Sequence, residues 1–259
     1  MSNFSTFMAK EWRENLRTKR VLVLSCVFLI VAISTPLITR FMGEFMAIFI
    51  TDADDATQAL INIFGNLGWR DSYAQFYSQF DLVLFGIIFM YMGITSREIS
   101  SGTASLLFSK GLGFWPFTLA KFVMTNVLLA VIAMVSVLVA HIYTVILFEE
   151  GGALGDVLLG GLVFCIGLLV LLAIILFCSS QTKSSAVSGG MAVGIYFGLM
   201  LVSAIPNVGR FSPINLFRYP VAISAGYRVE DLWAALISGA VVIAIALFFA
   251  VHGLKRAEG

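Results

Sequence analysis

The chain has 259 residues, of which 59% are hydrophobic and 12% are charged, and its formal net charge is +1. Soluble domains carry roughly twice that share of charged residues, so the composition excludes an ordinary soluble domain and predicts an all-α polytopic membrane protein. The near-zero net charge gives no indication of nucleic-acid binding.

The first 20 residues are predicted to form an amphipathic helix. Apolar side chains recur there at spacings of three and four, at Phe4, Phe7, Met8, Trp12 and Leu16. Basic residues fall mostly on the other faces, which is typical of a helix that lies on a membrane surface. The alternative is a plain extension of the first membrane span.

Six apolar segments approach the length of about 20 residues that a helix needs to cross a bilayer. They are 21–40, 77–95, 121–147, 157–178, 186–205 and 232–252. An even number of spans places both termini on the same side of the membrane. The segments on that side contain more basic residues than those on the other side, which predicts that the termini lie in the cytoplasm. These residues are Lys10, Arg13, Arg17, Lys19, Arg20, Arg97, Lys110, Lys121, Lys183, Lys255 and Arg256.

The first outer loop, 43–76, is the longest. Its acidic group, Asp52, Asp54 and Asp55, lacks the glycine and late glutamate of a calcium-binding loop, so a solvated turn is predicted. An aromatic face follows at helical spacing and is predicted to anchor the loop at the outer membrane interface. Its members are Trp69, Tyr73, Phe76, Tyr77 and Phe80.

Span two contains two polar residues, Gln79 and Asp81. An ionisable group at that depth is expected to face a cavity or a partner rather than lipid. The alternative is that Asp81 caps the span at the headgroup level.

Span five carries a ribbon of small residues, each four positions apart, at Ala186, Gly190, Gly194 and Gly198. Such a ribbon lets another helix approach closely, either within the monomer or across a dimer. The outer segment 206–231 holds three prolines, so it is predicted to form short helices that dip into the membrane rather than one regular helix.

Several chemistries are absent from the sequence. No G-x-x-x-x-G-K-[ST] motif is present, so the chain is not predicted to bind ATP by that route. The three cysteines form no C-x-x-C pair and no H-E-x-x-H motif occurs, so neither a metal site nor another cofactor site is predicted.

A polar segment, 97–121, interrupts the apolar runs. Thr103 is predicted to cap a short helix that ends before Gly111 and Gly113, and Pro116 suits the first turn of the next helix. From the residues alone, a docking element and an ordinary connecting loop both remain open.

The run Arg97-Glu98, Ser101-Gly102-Thr103, Leu106-Leu107 and Ser109, followed by Lys121, resembles the first cytoplasmic loop of the ABC-2 type permeases. These are membrane subunits of ABC transporters, and their six-span layout is similar along nearly the whole chain. Here Lys110-Gly111 stands where that family often has proline.

The resemblance implies that residues 96–120 contain a coupling helix for a separate ATPase subunit, which binds ATP and Mg²⁺. The implied coupling residues are Glu98, Gly102, Thr103, Leu106 and Leu107. A second permease subunit, identical or paralogous, is expected to pair near spans two and five. The ribbon Ala186, Gly190, Gly194 and Gly198 is then a packing candidate, and Gln79 and Asp81 are candidate lumen residues.

The expected function is that of a transmembrane permease subunit, itself not an enzyme, which exports a substrate across a prokaryotic inner membrane. The whole chain, 1–259, is expected to form a single transmembrane domain. One alternative is an ABC-type mechanical transmitter that acts on a periplasmic or extracellular partner. Another is a six-span membrane protein that transports nothing, with a structural, sensory or enzymatic role.

Overall fold

The computed structural model describes residues 3–49 and 65–258 of the chain. The described residues form helices and connecting turns and contain no β-strand. The helices are α1 (Asn3–Arg17), α2 (Lys19–Phe49), α3 (Trp69–Tyr91), α4 (Ser96–Ser100), α5 (Thr103–Ser109), α6 (Phe114–Phe148), α7 (Leu154–Ser180), α8 (Ser185–Ser203), a 3-10 turn (Gly209–Phe211), α9 (Asn215–Ser224) and α10 (Leu232–Glu258).

The six predicted spans are confirmed, because α2, α3, α6, α7, α8 and α10 are each long and apolar enough to cross a membrane. The protein is therefore an all-α, multi-pass membrane protein. Helices α2 and α3 extend to Phe49 and from Trp69, so they take up much of the loop predicted at 43–76. The acidic group of Asp52, Asp54 and Asp55 lies outside the described residues.

Helix α7 is the central helix of the bundle, and it packs against α6, α9 and α10. Two of its glycines let α9 approach closely. A Cβ on Gly160 would collide with the Ser224 hydroxyl, and one on Gly167 would lie 2.7 Å from the Phe217 ring. The close packing of α9 against α7 therefore depends on glycine at both positions.

The aromatic face of α3 packs into the protein, so the prediction that it faces the membrane and anchors the loop there is wrong. Tyr73, Phe76, Tyr77 and Phe80 are all buried. The Phe80 ring lies 5.0 Å from Phe28 of α2 and 4.7 Å from Phe164 of α7, measured between centroids. This side of α3 meets two neighbouring helices, whose apolar side chains take the place that lipid was expected to fill.

The segment between α8 and α10 forms two short helical elements, as its prolines predicted. The 3-10 turn and α9 are tied together by Asn215, whose Nδ2 donates to the Gly209 carbonyl at 2.8 Å. The Ser212 hydroxyl donates to the Leu199 carbonyl at 2.9 Å, which fastens the segment to the end of α8. Pro220 lies inside α9.

Helix α1 is separate from α2, so the alternative of a plain extension of the first span is wrong. The helical conformation is interrupted at Thr18, whose hydroxyl donates a hydrogen bond back to the Glu14 carbonyl. α1 packs mainly on the first part of α6, where the Phe7 ring stacks on Phe117 at 5.5 Å. We call the end of the bundle that carries α1, α4 and α5 the loop end.

Candidate functional site

The polar segment folds into two short helices, α4 and α5, at the loop end. Gly102 joins them with a φ of 72°, a left-handed conformation that glycine adopts without strain. Gly102 is also the residue before the first turn of α5, so the prediction of Thr103 as the helix cap is wrong. Thr103 is the first residue of α5, and its hydroxyl lies 2.9 Å from that of Ser101.

Helix α5 rests on a small apolar cluster of its own. This cluster consists of Phe7, Ile99, Ala104, Leu112, Phe117, Ala120 and Leu254. Phe108 adds an aromatic contact, with its ring 4.3 Å from that of Phe114. Leu107 packs partly against the cluster, whereas Leu106 is 63% exposed. The helix is thus fixed on one side and presents a large apolar side chain on the other.

A buried ion-pair network joins this segment to α1 and α6. The Lys121 Nζ lies 3.1 Å from Glu11 Oε1 and 3.0 Å from Glu98 Oε1. The Lys121 side chain is 3% exposed, that of Glu11 6% and that of Glu98 14%, so all three are shielded from solvent. The Lys10 Nζ is 3.6 Å from the same oxygen of each glutamate.

Burial and charge act against each other in this network. Burial raises the pKa of Glu11, and the nearby ammonium of Lys121 opposes that rise without cancelling it. For Lys10, burial lowers the pKa, but the carboxylates of Glu98, Glu11 and Glu14 outweigh it and leave the pKa raised. The buried glutamates therefore depend on both lysines for compensation.

Three carboxylates of this region, from Glu11, Glu14 and Glu98, have oxygens within 4.8 Å of one another. Such a group is a formal candidate for a metal site. The ammonium groups of Lys10 and Lys121 already lie among these oxygens, so the arrangement fits an ion-pair network better than a cation site.

The start of the segment is fastened to α7 and α8. The Ser179 hydroxyl accepts hydrogen bonds from the backbone N–H groups of Thr95 and Ser96, each at 2.9 Å. The Ser96 hydroxyl lies 3.2 Å from that of Ser185. The start of α4 is therefore hydrogen-bonded to the ends of two spans.

The structure places all five implied coupling residues in or beside α4 and α5, with different surroundings. Leu106 faces outward, whereas Glu98 is occupied by the ion-pair network. Glu11, Lys10 and Ser179 complete the site and were not found by sequence reasoning. Helical spacing places Glu11 four residues after Phe7, on the apolar side of α1, and a charge in that position is the signal that was available.

The small-residue ribbon of α8 lies on the exposed side of that helix in the described part of the chain. Ala186, Gly190, Gly194 and Gly198 are all exposed, and a Cβ on any of the three glycines would meet nothing within 4 Å. Of the two packing modes that the sequence left open, packing within the monomer is therefore not seen in the part of the chain that the structure describes.

Gln79 and Asp81 are both exposed on the outside of the protomer. The Tyr196 hydroxyl of α8 donates to Asp81 Oδ1 at 3.4 Å. Asp81 does not cap the span, because α3 begins at Trp69 and Asp71 is the residue that accepts from the Gly68 N–H, at 2.8 Å. The capping alternative is therefore wrong.

Comparison with known proteins identifies the family. The family model described as ABC-2 family transporter protein matches residues 6–220, which include most of α1, the segment at the loop end and the first part of α9. No curated protein sequence matches the chain with statistical significance. With most of its length matched, and with six spans and the loop-end helices in place, the chain belongs to the ABC-2 family of transporter proteins and is an ABC transporter permease.

Proposed function

We propose that this permease exports a substrate with energy from ATP, which a separate ATPase subunit hydrolyses while docked on α4 and α5. The observation that carries the proposal is the contrast within α5. Leu106 is 63% exposed, while the opposite side of the helix is fixed by an apolar cluster. A protruding leucine on a rigid base suits a surface that receives a force from a partner.

Two routes carry such a force into the membrane. The first runs from α4 through the Glu98–Lys121 pair into α6, with Glu11 of α1 attached to the same lysine. The second runs from the backbone at Thr95 and Ser96 through Ser179 into α7. In this proposal the nucleotide state of the ATPase, which binds ATP and Mg²⁺, biases the bundle between two arrangements.

The proposed orientation places the loop end in the cytoplasm of a prokaryotic cell, with both termini there. The support is the distribution of basic residues, which favours this end over the other. Lys10, Lys110, Lys183 and Arg256 all belong to helices or turns at the loop end.

A second permease subunit, identical or paralogous, is proposed to pair with this chain through α3 and α8. The exposed glycines at 190, 194 and 198 leave open space along α8 into which a partner helix fits closely. Asp81 supports the same face, because it is exposed on a span and its one hydrogen bond, from Tyr196 at 3.4 Å, leaves the carboxylate in need of a further polar partner or a water-filled pathway.

The docking proposal is tested by co-purification with the ATPase. Leu106→Asp places a charge on an exposed side chain, so the permease is expected to remain folded and to lose the ATPase and its transport-linked activity. Val208→Asp is the matched control, because Val208 is 50% exposed at the opposite end of the bundle. Retention of the ATPase by Leu106→Asp, or equal loss in both variants, would contradict the docking surface.

The pairing proposal is tested by oxidative crosslinking in a background without Cys26, Cys165 and Cys178. Cysteine at position 190, 194 or 198 is expected to crosslink two copies in the membrane. Val131→Cys on α6, where the valine is 56% exposed, is the control and is expected to remain monomeric. If the partner is a paralogue, the band forms when matching cysteines are placed in both chains. The absence of any band from the three α8 positions in both arrangements rejects this interface.

A further inference from the structure

A polar pocket lies at the loop end, apart from the surface of α5. It forms where α7 and α10 end and α8 begins, and its volume is about 270 Å³. Ser180, Gln181, Thr182 and Lys183 line one side, while Gly253 and Arg256 line the other. Neither the docking surface nor the pairing face includes these residues.

The lining is positively charged and lacks acidic compensation. Lys183 and Arg256 are both exposed, and among the described residues neither forms an ion pair with a carboxylate. No aspartate or glutamate lines the pocket in the described part of the chain. Two cations that share one polar pocket repel each other unless an anion lies between them.

The floor of the pocket is fixed by hydrogen bonds. The Gln181 Nε2 donates to the Phe249 carbonyl of α10 at 3.0 Å and to the Ser180 hydroxyl at 3.3 Å. Gly253 makes this possible, because a Cβ there would collide with the Gln181 amide. The Thr182 hydroxyl accepts from the Ser184 N–H at 3.1 Å, which leaves its proton free to donate to a ligand.

The position of the pocket identifies the class of ligand. The candidate span of α7 ends at Ser180 and that of α10 at Arg256, so the pocket lies where the hydrocarbon core gives way to the lipid headgroups. Lysine and arginine with a neighbouring hydroxyl are the groups that hold phosphate oxygens in proteins. Basic pockets between spans at this level suit anionic headgroups.

We propose that this pocket binds a phosphate group at the loop end, between Lys183 and Arg256. Two sources share that chemistry, an anionic phospholipid of the adjacent leaflet and a soluble phosphate. The bound group also lies beside Ile99 of α4, which lines the pocket and belongs to the apolar cluster under α5. Occupancy of the pocket therefore stabilises the base on which α5 rests.

The test measures ligand binding by the purified permease and does not depend on the ATPase. Retention of phosphatidylglycerol is followed by native mass spectrometry, with phosphatidylcholine as the neutral reference. The double variant Lys183→Gln/Arg256→Gln is expected to lower the apparent affinity for phosphatidylglycerol about tenfold or more, since it removes two charge-assisted contacts. Lys19→Gln/Lys255→Gln removes the same charge from exposed residues outside the pocket, and its affinity is expected to match that of the wild type.

Inorganic phosphate distinguishes the two sources. If it displaces the lipid, or raises the melting temperature of the wild type but not of the pocket variant, the ligand is a soluble phosphate. If it does neither while the pocket variant loses the lipid, the ligand is a phospholipid. The proposal is overturned if both double variants weaken lipid binding equally. It is also overturned if neither weakens it and inorganic phosphate does not raise the melting temperature of the wild type above that of the pocket variant. The melting temperature of each variant without ligand verifies that it is folded. If the double variant does not fold, the lipid-binding measurement is made on the single variant Lys183→Gln.

Discussion

Replacement of Lys121 by methionine is the sharpest test of the ion-pair network. Methionine fills much of the same volume but leaves Glu11 and Glu98 without the ammonium that lies 3.1 and 3.0 Å from their oxygens. The side chains of Glu11 and Lys121 are 6% and 3% exposed, so water does not readily replace the lost contacts.

The expected cost is about 3 kcal/mol in the free energy of unfolding. Removal of one partner from a buried ion pair costs about 3–5 kcal/mol, because the other charge stays buried and unpaired. The lower end of that range applies here, since Lys10 lies 3.6 Å from both glutamates and compensates in part. Adding Glu11→Gln to Lys121→Met is expected to recover much of the loss, because one of the two carboxylates is then neutral.

The assay is unfolding in mixed micelles with an increasing fraction of sodium dodecyl sulfate. Lys110→Met is the matched control, because Lys110 is exposed and forms no ion pair among the described residues, and its cost is expected to stay within about 0.5 kcal/mol. A loss for Lys121→Met no larger than that of the control would refute the reasoning.

The same variant has a predictable pH dependence. Burial already raises the pKa of Glu11, and loss of the neighbouring ammonium raises it further. A carboxyl whose pKa is raised by folding binds its proton more tightly in the native state, so the native state gains stability as the pH falls through that pKa. The difference between Lys121→Met and the wild type is therefore expected to be smaller at about pH 5 than at about pH 8. A difference that is independent of pH would show that the loss comes from packing rather than from unpaired charge.

Three further substitutions test other contacts, each by the same unfolding assay. Gly160→Ala is expected to cost about 1–3 kcal/mol, because its Cβ collides with Ser224 of α9. The control, Gly155→Ala on the same helix, places its Cβ in open space and is expected to be neutral or slightly stabilising. Equal effects of the two substitutions would contradict the close approach of α9. Ser179→Ala leaves two buried N–H groups without their acceptor and is expected to cost about 1–3 kcal/mol, and a neutral result would show that water replaces the hydroxyl. Gly102→Ala places a Cβ at a φ of 72° and is expected to cost about 1–2 kcal/mol, with Gly102→Asn milder; the reverse order would argue against the left-handed joint.

The spans could be predicted because length and hydropathy alone determine them. Hydropathy did not give their ends, since α3 continues outward past Asp81 and Gln79 to Trp69, where the helical spacing of the aromatic residues is the signal for a helix. Periodicity found the aromatic face of α3 correctly but not its direction. In a membrane protein both the lipid and the protein interior are apolar. The sequence of an aromatic face therefore does not indicate whether it faces lipid or packs against other helices.

The candidate site shows the same limit for polar residues. Local pattern indicated the turn at Gly102 and the short helix after it, because turns and short helices depend on neighbours in sequence, and the resemblance to the ABC-2 permeases implied Glu98 and Leu106. Local pattern did not pair Lys121 with Glu11, which is 110 residues away in the chain. Spacing of small residues likewise marked α8, whereas the close approach of α9 to α7 occurs at Gly160 and Gly167, two glycines that this spacing did not mark.

The network of Glu11, Glu98 and Lys121 determines which residues must be transferred together when chimeric permeases are engineered. A graft of residues 96–113 from one permease into another brings the glutamate of α4 but leaves its lysine and the second glutamate behind, on α6 and α1. In a recipient that lacks the lysine, the graft introduces a buried carboxylate without its counter-ion, and in one that lacks the second glutamate it leaves the network incomplete. The smallest transferable module is therefore discontinuous, with one stretch from each of three helices, and ATPase specificity is expected to move between permeases when the three travel together.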